Sequence, residues 1–416
     1  MSPSASSPAA AQPVGTNGQE PTKTYREMDA STMTTSLVPE AEQPPVPGLQ
    51  DPGRLTQKLT TAHMVQAPWV AGEGWGSPHM GPYGKIALEP TASVLHYATE
   101  SFEGMKVYRG YDGKVRLFRP WLNCQRMNKS NARVCLPAID PDQLLALISK
   151  FLAIECRRWL PEPGSHLYLR PATIGSGSAL GIQRPPEALF FLFAALFPQS
   201  SNGPSPGMRL LASDSDLIRA WPGGFGGSKV GANYGPAMVA QAKARENNCG
   251  QTLWLFGEDR QVTEAGASNF FVVWKRKDSD TLELVTASLD TEVILDGITR
   301  RSVLDLARQR LTKDSADLPQ GFQPVQVVER TLNMHEIVEA QKQGRLIEAF
   351  VSGTAMFVMP ISEILYDGVN ITLPRTVGKD GTKLPVSKYS STIKMWLSDI
   401  MFGKVEHEWA YVIDEN

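Results

Sequence analysis

The chain has 416 residues, 42% hydrophobic and 20% charged, which excludes a mostly disordered, collagen-like or coiled-coil protein and predicts two domains. Its 41 basic and 43 acidic residues leave a net charge of −2, so no global field draws it to nucleic acid or anionic lipid. Four cysteines without a CxxC pair and six scattered histidines give neither a disulfide framework nor a zinc spacing, so no metal is expected.

Residues 1–55 are rich in Ser, Pro, Ala, Thr and Gln, and a flexible tail is expected there, with ordered chain from near Leu59. A mitochondrial leader is Arg-rich and acid-poor. Here Lys23 and Arg26 stand among Glu20, Glu27 and Asp29, so a cytoplasmic location is expected and a mitochondrial one is the alternative. Residues 56–198 read as a small α/β domain. Ala92–Tyr97 and Val115–Phe118 are predicted strands, and Leu144–Trp159 has apolar residues at helical spacing. His166–Arg170 and Ala188–Phe197 are predicted strands, and the latter, the longest apolar run, is too short to cross a membrane. The Pro-, Gly- and Ser-rich stretch around 199–207 is the expected linker.

Residues 208–416 read as a larger mixed domain. Met208–Ala212, Thr252–Phe256, Asn269–Trp274, Leu282–Thr286, Val325–Val328 and Ile347–Val351 are predicted strands. Thr299–Leu311, with Val303, Leu304, Ala307 and Leu311 on one face, and Thr392–Phe402 are predicted helices.

Four segments of this chain carry chemistry. Trp221–Gly235 holds six glycines in fifteen residues around one lysine, Lys229. So many glycines mean positive φ or close backbone approach, and a desolvated amine there serves as nucleophile or base. Glu264 precedes a tight Ala-Gly-Ala turn between strand-like runs, where a carboxylate can orient a heteroaromatic nitrogen. Asp296-Gly-Ile-Thr opens a helix, whose free N–H groups seat a phosphate. Val351-Ser-Gly-Thr-Ala355 offers a hydroxyl and N–H groups to an anion. Each alone is also an ordinary turn or cap. Together, a lysine, a glutamate and two anion seats point to a pyridoxal phosphate site, since that cofactor needs an amine, an acidic partner for its ring nitrogen and donors for its phosphate.

The chain resembles the branched-chain amino acid aminotransferases, of the fold-type IV (class IV) pyridoxal phosphate enzymes. Six blocks carry the resemblance: Leu95–Gly110, Arg119–Met127, Tyr168–Gly175, Lys229–Tyr234, Gln261–Gly266 and Ser352–Ala355. It implies a two-domain fold-type IV enzyme and transamination between leucine, isoleucine or valine and 2-oxoglutarate, giving branched 2-oxo acids and L-glutamate. Lys229 matches the Schiff-base lysine, Glu264 the partner of the ring nitrogen, and Tyr234 the tyrosine at the phenolic oxygen. Arg126, the N–H groups of Ile298 and Thr299, and Thr354 match the phosphate ligands. Tyr97, Phe102, Tyr168 and Arg170 match the substrate wall, and Thr354 and Ala355 the turn that receives the substrate carboxylate. Leu180 and Ile182 match residues contributed across a dimer interface, which implies a homodimer.

Two departures stand out. Ala267 replaces a threonine frequent in the family, and Met356 and Met359 stand where mammalian members carry a CxxC pair. Two rival readings are another class IV activity (D-amino acid or (R)-amine aminotransferase, aminodeoxychorismate lyase) and a non-catalytic binding protein on the same fold. A branched-chain-type enzyme of a specialised pathway is a further variant of the first reading.

Overall fold

The computed structural model describes residues 25–199, 205–377 and 381–415. The first part of the chain runs β1 (Thr34–Thr35), β2 (Thr60–Val70), β3 (Gly74–Trp75), β4 (His79–Pro82), α1 (Ser93–Tyr97), β5 (Glu100–Phe102), β6 (Met105–Arg109), β7 (Val115–Phe118), α2 (Pro120–Arg133), α3 (Pro141–Trp159), β8 (His166–Gly175) and β9 (Glu187–Ala195). The second runs β10 (Met208–Ala212), α4 (Ala237–Glu246), β11 (Gln251–Phe256), β12 (Gln261–Ala265), β13 (Ser268–Lys275), β14 (Leu282–Thr286) and α5 (Ile298–Arg310). It continues through β15 (Val325–Glu329), α6 (Met334–Lys342), β16 (Leu346–Gly353), β17 (Phe357–Tyr366), β18 (Val369–Thr372), β19 (Arg375–Val377), β20 (Lys383–Pro385), α7 (Lys388–Met401) and β21 (Ala410–Ile413).

Two large sheets and the two-stranded β19-β20 ribbon result among the described residues, giving a mixed α/β fold. The first is ordered β1-β4-β2-β9-β8-β6-β7-β21, with β3 on β2 and β5 on β8. Alternate residues of β9 are buried, the period-2 signature of a sheet face packed on a core. That core takes Cys124 and Met127 from α2, and Leu144, Leu147, Ile148, Phe151 and Leu152 from α3. The α3 stripe is the helical spacing seen in the sequence, and Asp140 caps it by accepting from the N–H groups of Asp142 and Gln143.

The second sheet runs β12-β11-β10-β17-β16-β13-β14-β15, and β12 also pairs with β13. That extra pairing closes a ring of six strands. The hairpin that closes it has a two-residue loop, Gly266–Ala267, between the paired Ala265 and Ser268. Gly266 has φ +58°, and a Cβ there would come within 1.9 Å of Gln251 Oε1, so glycine is required. Strand β13 is buried on both faces. Phe270 and Val272 join a cluster drawn from all six ring strands, while Phe271 and Val273 pack with α5 and α7.

Three expectations are corrected. Ala92–Tyr97, expected as a strand, holds the short helix α1. Its Val and Tyr favour a strand by propensity alone. The Ser93 hydroxyl donates to the Gly175 carbonyl, and Ala98 at φ 49° turns the chain straight into β5. Next, residues 25–55 are not a free tail. Met28, Ala30 and Arg54 are buried, and Arg54 donates to the carbonyls of Gly48 and Pro47. A segment too polar to build a core still inserts a few side chains into one built by others. Residues 1–24 of the expected tail, and 200–204 of the expected linker, lie outside the described residues. Lastly, β21, assigned with 208–416 to the second domain, pairs antiparallel with β7 at the edge of the first sheet.

Candidate active site

The glycine-rich loop delivers Lys229 between the two sheets, and the fold uses the glycines for close approach. A Cβ on Gly226 would come within 2.6 Å of the Val293 carbonyl oxygen, and one on Gly231 within 2.1 Å of Glu100 Oε1. The Lys229 backbone is then tied down. Its N–H donates to Ser130 Oγ of α2 at 2.8 Å, and its carbonyl accepts from the Phe102 N–H of β5 at 3.1 Å.

The Lys229 side chain is half-buried, with Nζ 3.2 Å from the Tyr234 hydroxyl and 4.8 Å from the centre of the Phe102 ring. Phe102 also meets the Tyr234 ring, with centroids 5.1 Å apart. The Arg170 guanidinium sits 4.5 Å from the Phe102 ring centre and donates to the Tyr168 hydroxyl at 3.3 Å. Tyr168 stacks on Phe197. A Cβ on Gly104 would come within 2.0 Å of the Tyr168 hydroxyl, so that glycine makes room for it. Lys229, Tyr234, Phe102, Tyr168 and Arg170 thus form one cluster. Tyr97 is 40% exposed, and its hydroxyl donates to the Leu180 carbonyl instead.

Glu264 is 2% exposed on β12, at the seam of the ring. Its Oε1 accepts from Asn269 Nδ2 at 3.3 Å and from the Leu295 N–H at 3.2 Å. Its Oε2 lies 2.6 Å from Arg219 Nη1, an ion pair in which neither atom has an aligned hydrogen bond. Burial pushes the Glu264 carboxyl above its ordinary range, and Arg219 pulls it back only in part. A buried carboxylate oxygen that no aligned hydrogen bond occupies fits a protonated ring nitrogen.

Arg126 on α2 grips the buried Glu103 through two bonds, Nε to Oε1 at 2.7 Å and Nη2 to Oε2 at 2.8 Å. Its Nη1 donates to the Asp296 carbonyl at 2.8 Å, just before α5. Burial lowers the Arg126 pKa, but Glu103 outweighs that and holds the guanidinium charged. No side chain caps α5, so the N–H groups of its first residues, Ile298 and Thr299, are left for another acceptor. Thr354 and Ala355 form the turn between β16 and β17, and the Ala355 carbonyl accepts from Lys106 Nζ at 3.2 Å. A cationic side chain and open helix N–H groups, beside a lysine and a buried carboxylate, fit pyridoxal phosphate.

Leu180 and Ile182 stand on the surface, 57% and 93% exposed. The four cysteines are free. Met356 packs partly buried against the second core, and Met359 Sδ accepts from Ser205 Oγ at 3.1 Å. Sequence reasoning missed Arg219, Asn269 and Glu100. Only the fold brings Arg219 and Asn269 to Glu264, and Glu100 to Gly231. Glu103 lay inside a matching block, but nothing in the spacing showed that it would orient Arg126.

Residues 100–364 match the amino-transferase class IV family. The chain is 42% identical over 357 residues to a branched-chain-amino-acid aminotransferase of Monosiga brevicollis, covering 84% of this chain and 85% of that one. It is 40% identical to the cytosolic enzyme of that name in Saccharomyces cerevisiae, covering 86% and 91%, and 40% identical to the mitochondrial one in Bos taurus, covering 85% and 84%. Among solved structures, its fold is similar to the branched-chain amino acid aminotransferase of Thermobaculum terrenum in its PLP-form. The TM-score is 0.62 at 19% identity, over 86% of this chain and 100% of that one. It is also similar to the Escherichia coli enzyme, with TM-score 0.61 at 21% identity over 85% and 99%.

Proposed function

The chain belongs to the class IV amino-transferases, and from that premise we propose that it exchanges an amino group between branched-chain L-amino acids and 2-oxoglutarate. Its cofactor is pyridoxal phosphate. The observation that carries this reading is the setting of Lys229, one amine between a tyrosine hydroxyl and an aromatic ring. The names of relatives at 40–42% identity support the substrate class.

Pyridoxal phosphate, when bound, supplies an electron sink that makes the Cα–H of an amino acid acidic. Arg126, the N–H groups of Ile298 and Thr299, and the Thr354 hydroxyl would hold its phosphate. Glu264 Oε2 would hold its ring nitrogen, and the Tyr234 hydroxyl its phenolic oxygen. Lys229 provides the nucleophilic amine and then the base that takes the substrate Cα proton on Nζ. The N–H groups of Thr354 and Ala355 receive the substrate carboxylate.

Phe102 and the ring faces of Tyr168 and Tyr97 offer apolar surface to a branched aliphatic side chain. The distal carboxylate of glutamate needs a cation, and Arg170 supplies one beside the Tyr168 hydroxyl. Leu180 and Ile182 are apolar and exposed, as a homodimer in which each chain completes the other's pocket requires. Relatives include cytosolic and mitochondrial enzymes, and a cytoplasmic location is the reading proposed here.

The test is glutamate formation from leucine and 2-oxoglutarate by the purified protein. Turnover with leucine is expected, and Lys229→Ala should abolish it together with the cofactor's visible absorbance. Normal turnover in Lys229→Ala would remove Lys229 from its role. Turnover with D-amino acids or amines but not with leucine would favour the rival class IV activities.

A further inference from the structure

A cavity of about 570 Å³ is lined by none of Lys229, Tyr234, Glu264 or Arg126 and reaches the turn after β16 through Lys106. Lys106 of β6 and Lys394 of α7 both open onto it, as do His166 and the apolar side chains of Tyr108, Phe357 and Met401. Lys106 is only 5% exposed. One of its three possible donors goes to the Ala355 carbonyl. Burial, and the neighbouring Lys394 charge, bring its pKa down to about 8.

Among the described residues no carboxylate pairs with Lys106 or Lys394. Asp399 also lines the cavity, but it faces Lys404 at 3.5 Å. His166 is 3% exposed, and its Nε2 has no hydrogen-bond partner among the described residues. Burial keeps that imidazole neutral, with its pKa well below the ordinary value. Two ammonium groups and an unpaired ring nitrogen around one cavity are a costly arrangement that no carboxylate among the described residues offsets.

We propose that this cavity is a second binding site, for a short dicarboxylate. Two cations from different elements, β6 and α7, call for two negative charges. The apolar side chains among them call for a methylene spacer, and the volume exceeds what a lone inorganic anion fills. Lys106 and Lys394 each bind one carboxylate, and His166 Nε2–H donates to one of them. The occupant would share Lys106 with the Ala355 carbonyl, and so would touch the turn assigned to the substrate carboxylate. The site does not depend on which reaction Lys229 serves.

The experiment is calorimetric titration of glutarate, a dicarboxylate that cannot be transaminated, into the holoenzyme. The substrate pocket is first filled with 4-methylvalerate. One glutarate per chain is expected, with sub-millimolar affinity. Lys394→Gln should weaken it at least tenfold while leaving leucine turnover unchanged, since Lys394 is outside the catalytic cluster. That unchanged turnover also shows that the variant folds. Absence of glutarate binding, equal affinity in Lys394→Gln, or inorganic phosphate binding as tightly as glutarate would overturn the proposal. Failure of the aminotransferase reading would appear separately, as absent turnover with leucine.

Discussion

Under the proposed function Arg126 would divide one guanidinium between two tasks. Three of its five N–H groups hold Glu103 and the Asp296 carbonyl, and two remain for a phosphate. Removing the side chain would strand a buried carboxylate, a loss of about 3–5 kcal/mol that mixes folding with binding. Arg126→Lys keeps the charge and loses the fork. We expect the dissociation constant for pyridoxal phosphate to rise about tenfold, with turnover near normal in saturating cofactor. An unchanged constant in a fluorescence titration would remove Arg126 from the phosphate site. At Glu264 the charge matters more than the shape, because only a carboxylate stabilises a protonated ring nitrogen. Glu264→Gln should keep the visible absorbance of the bound cofactor and lose turnover by orders of magnitude. Near-normal rates would mean that Glu264 does not face the ring. Lys229 and Glu264 were legible in the sequence because each sits in a short segment of unusual composition. Arg219 was not, since it reaches Glu264 from 45 positions away and no local pattern marks it.

Among the elements, α7 is anchored by a buried acid. Glu348 of β16 accepts from the N–H groups of Tyr389 and Ser390 in the first turn of the helix. Burial nevertheless pushes its carboxyl up to about 7. Below the ordinary value of 4.5 the group is protonated in both folded and unfolded chains. Between about 4.5 and 7 the unfolded chain releases the proton first, so stability falls as pH rises through that window, by at most about 3 kcal/mol. Glu348→Gln removes this term. Its thermal midpoint should therefore drop less than the parent's between pH 5 and pH 7.5, and equal drops would refute the assignment. The other strands and helices marked in the sequence are present, with ends moved by up to five residues, whereas long elements such as β2, β17 and α2 were not marked. Helix α1 was marked as a strand, because β propensity and a single tethered turn compete over five residues and the tether wins.

For the whole molecule, the joining of β21 to β7 is the feature that sequence order hid. A four-residue strand of ordinary composition does not announce which sheet it completes. Around it, the Arg119 N–H donates to the Trp409 carbonyl, the Arg119 guanidinium lies 4.2 Å from the Trp409 ring centre, and Arg109 pairs with Glu415 at 2.5 Å. Deleting residues 406–416 should bare the β7 edge, lower the thermal midpoint and raise light scattering on heating. A truncated chain as stable and as clear as the parent would make β21 dispensable. The same closure sets a schedule for the newborn chain. Residues of β7 leave the ribosome early, and their partner β21 follows almost three hundred residues later. At about 5–20 residues per second, the open edge waits on the order of tens of seconds for a strand that has not yet been translated. For that interval the edge of the nascent first sheet is an acceptor for any foreign strand it meets.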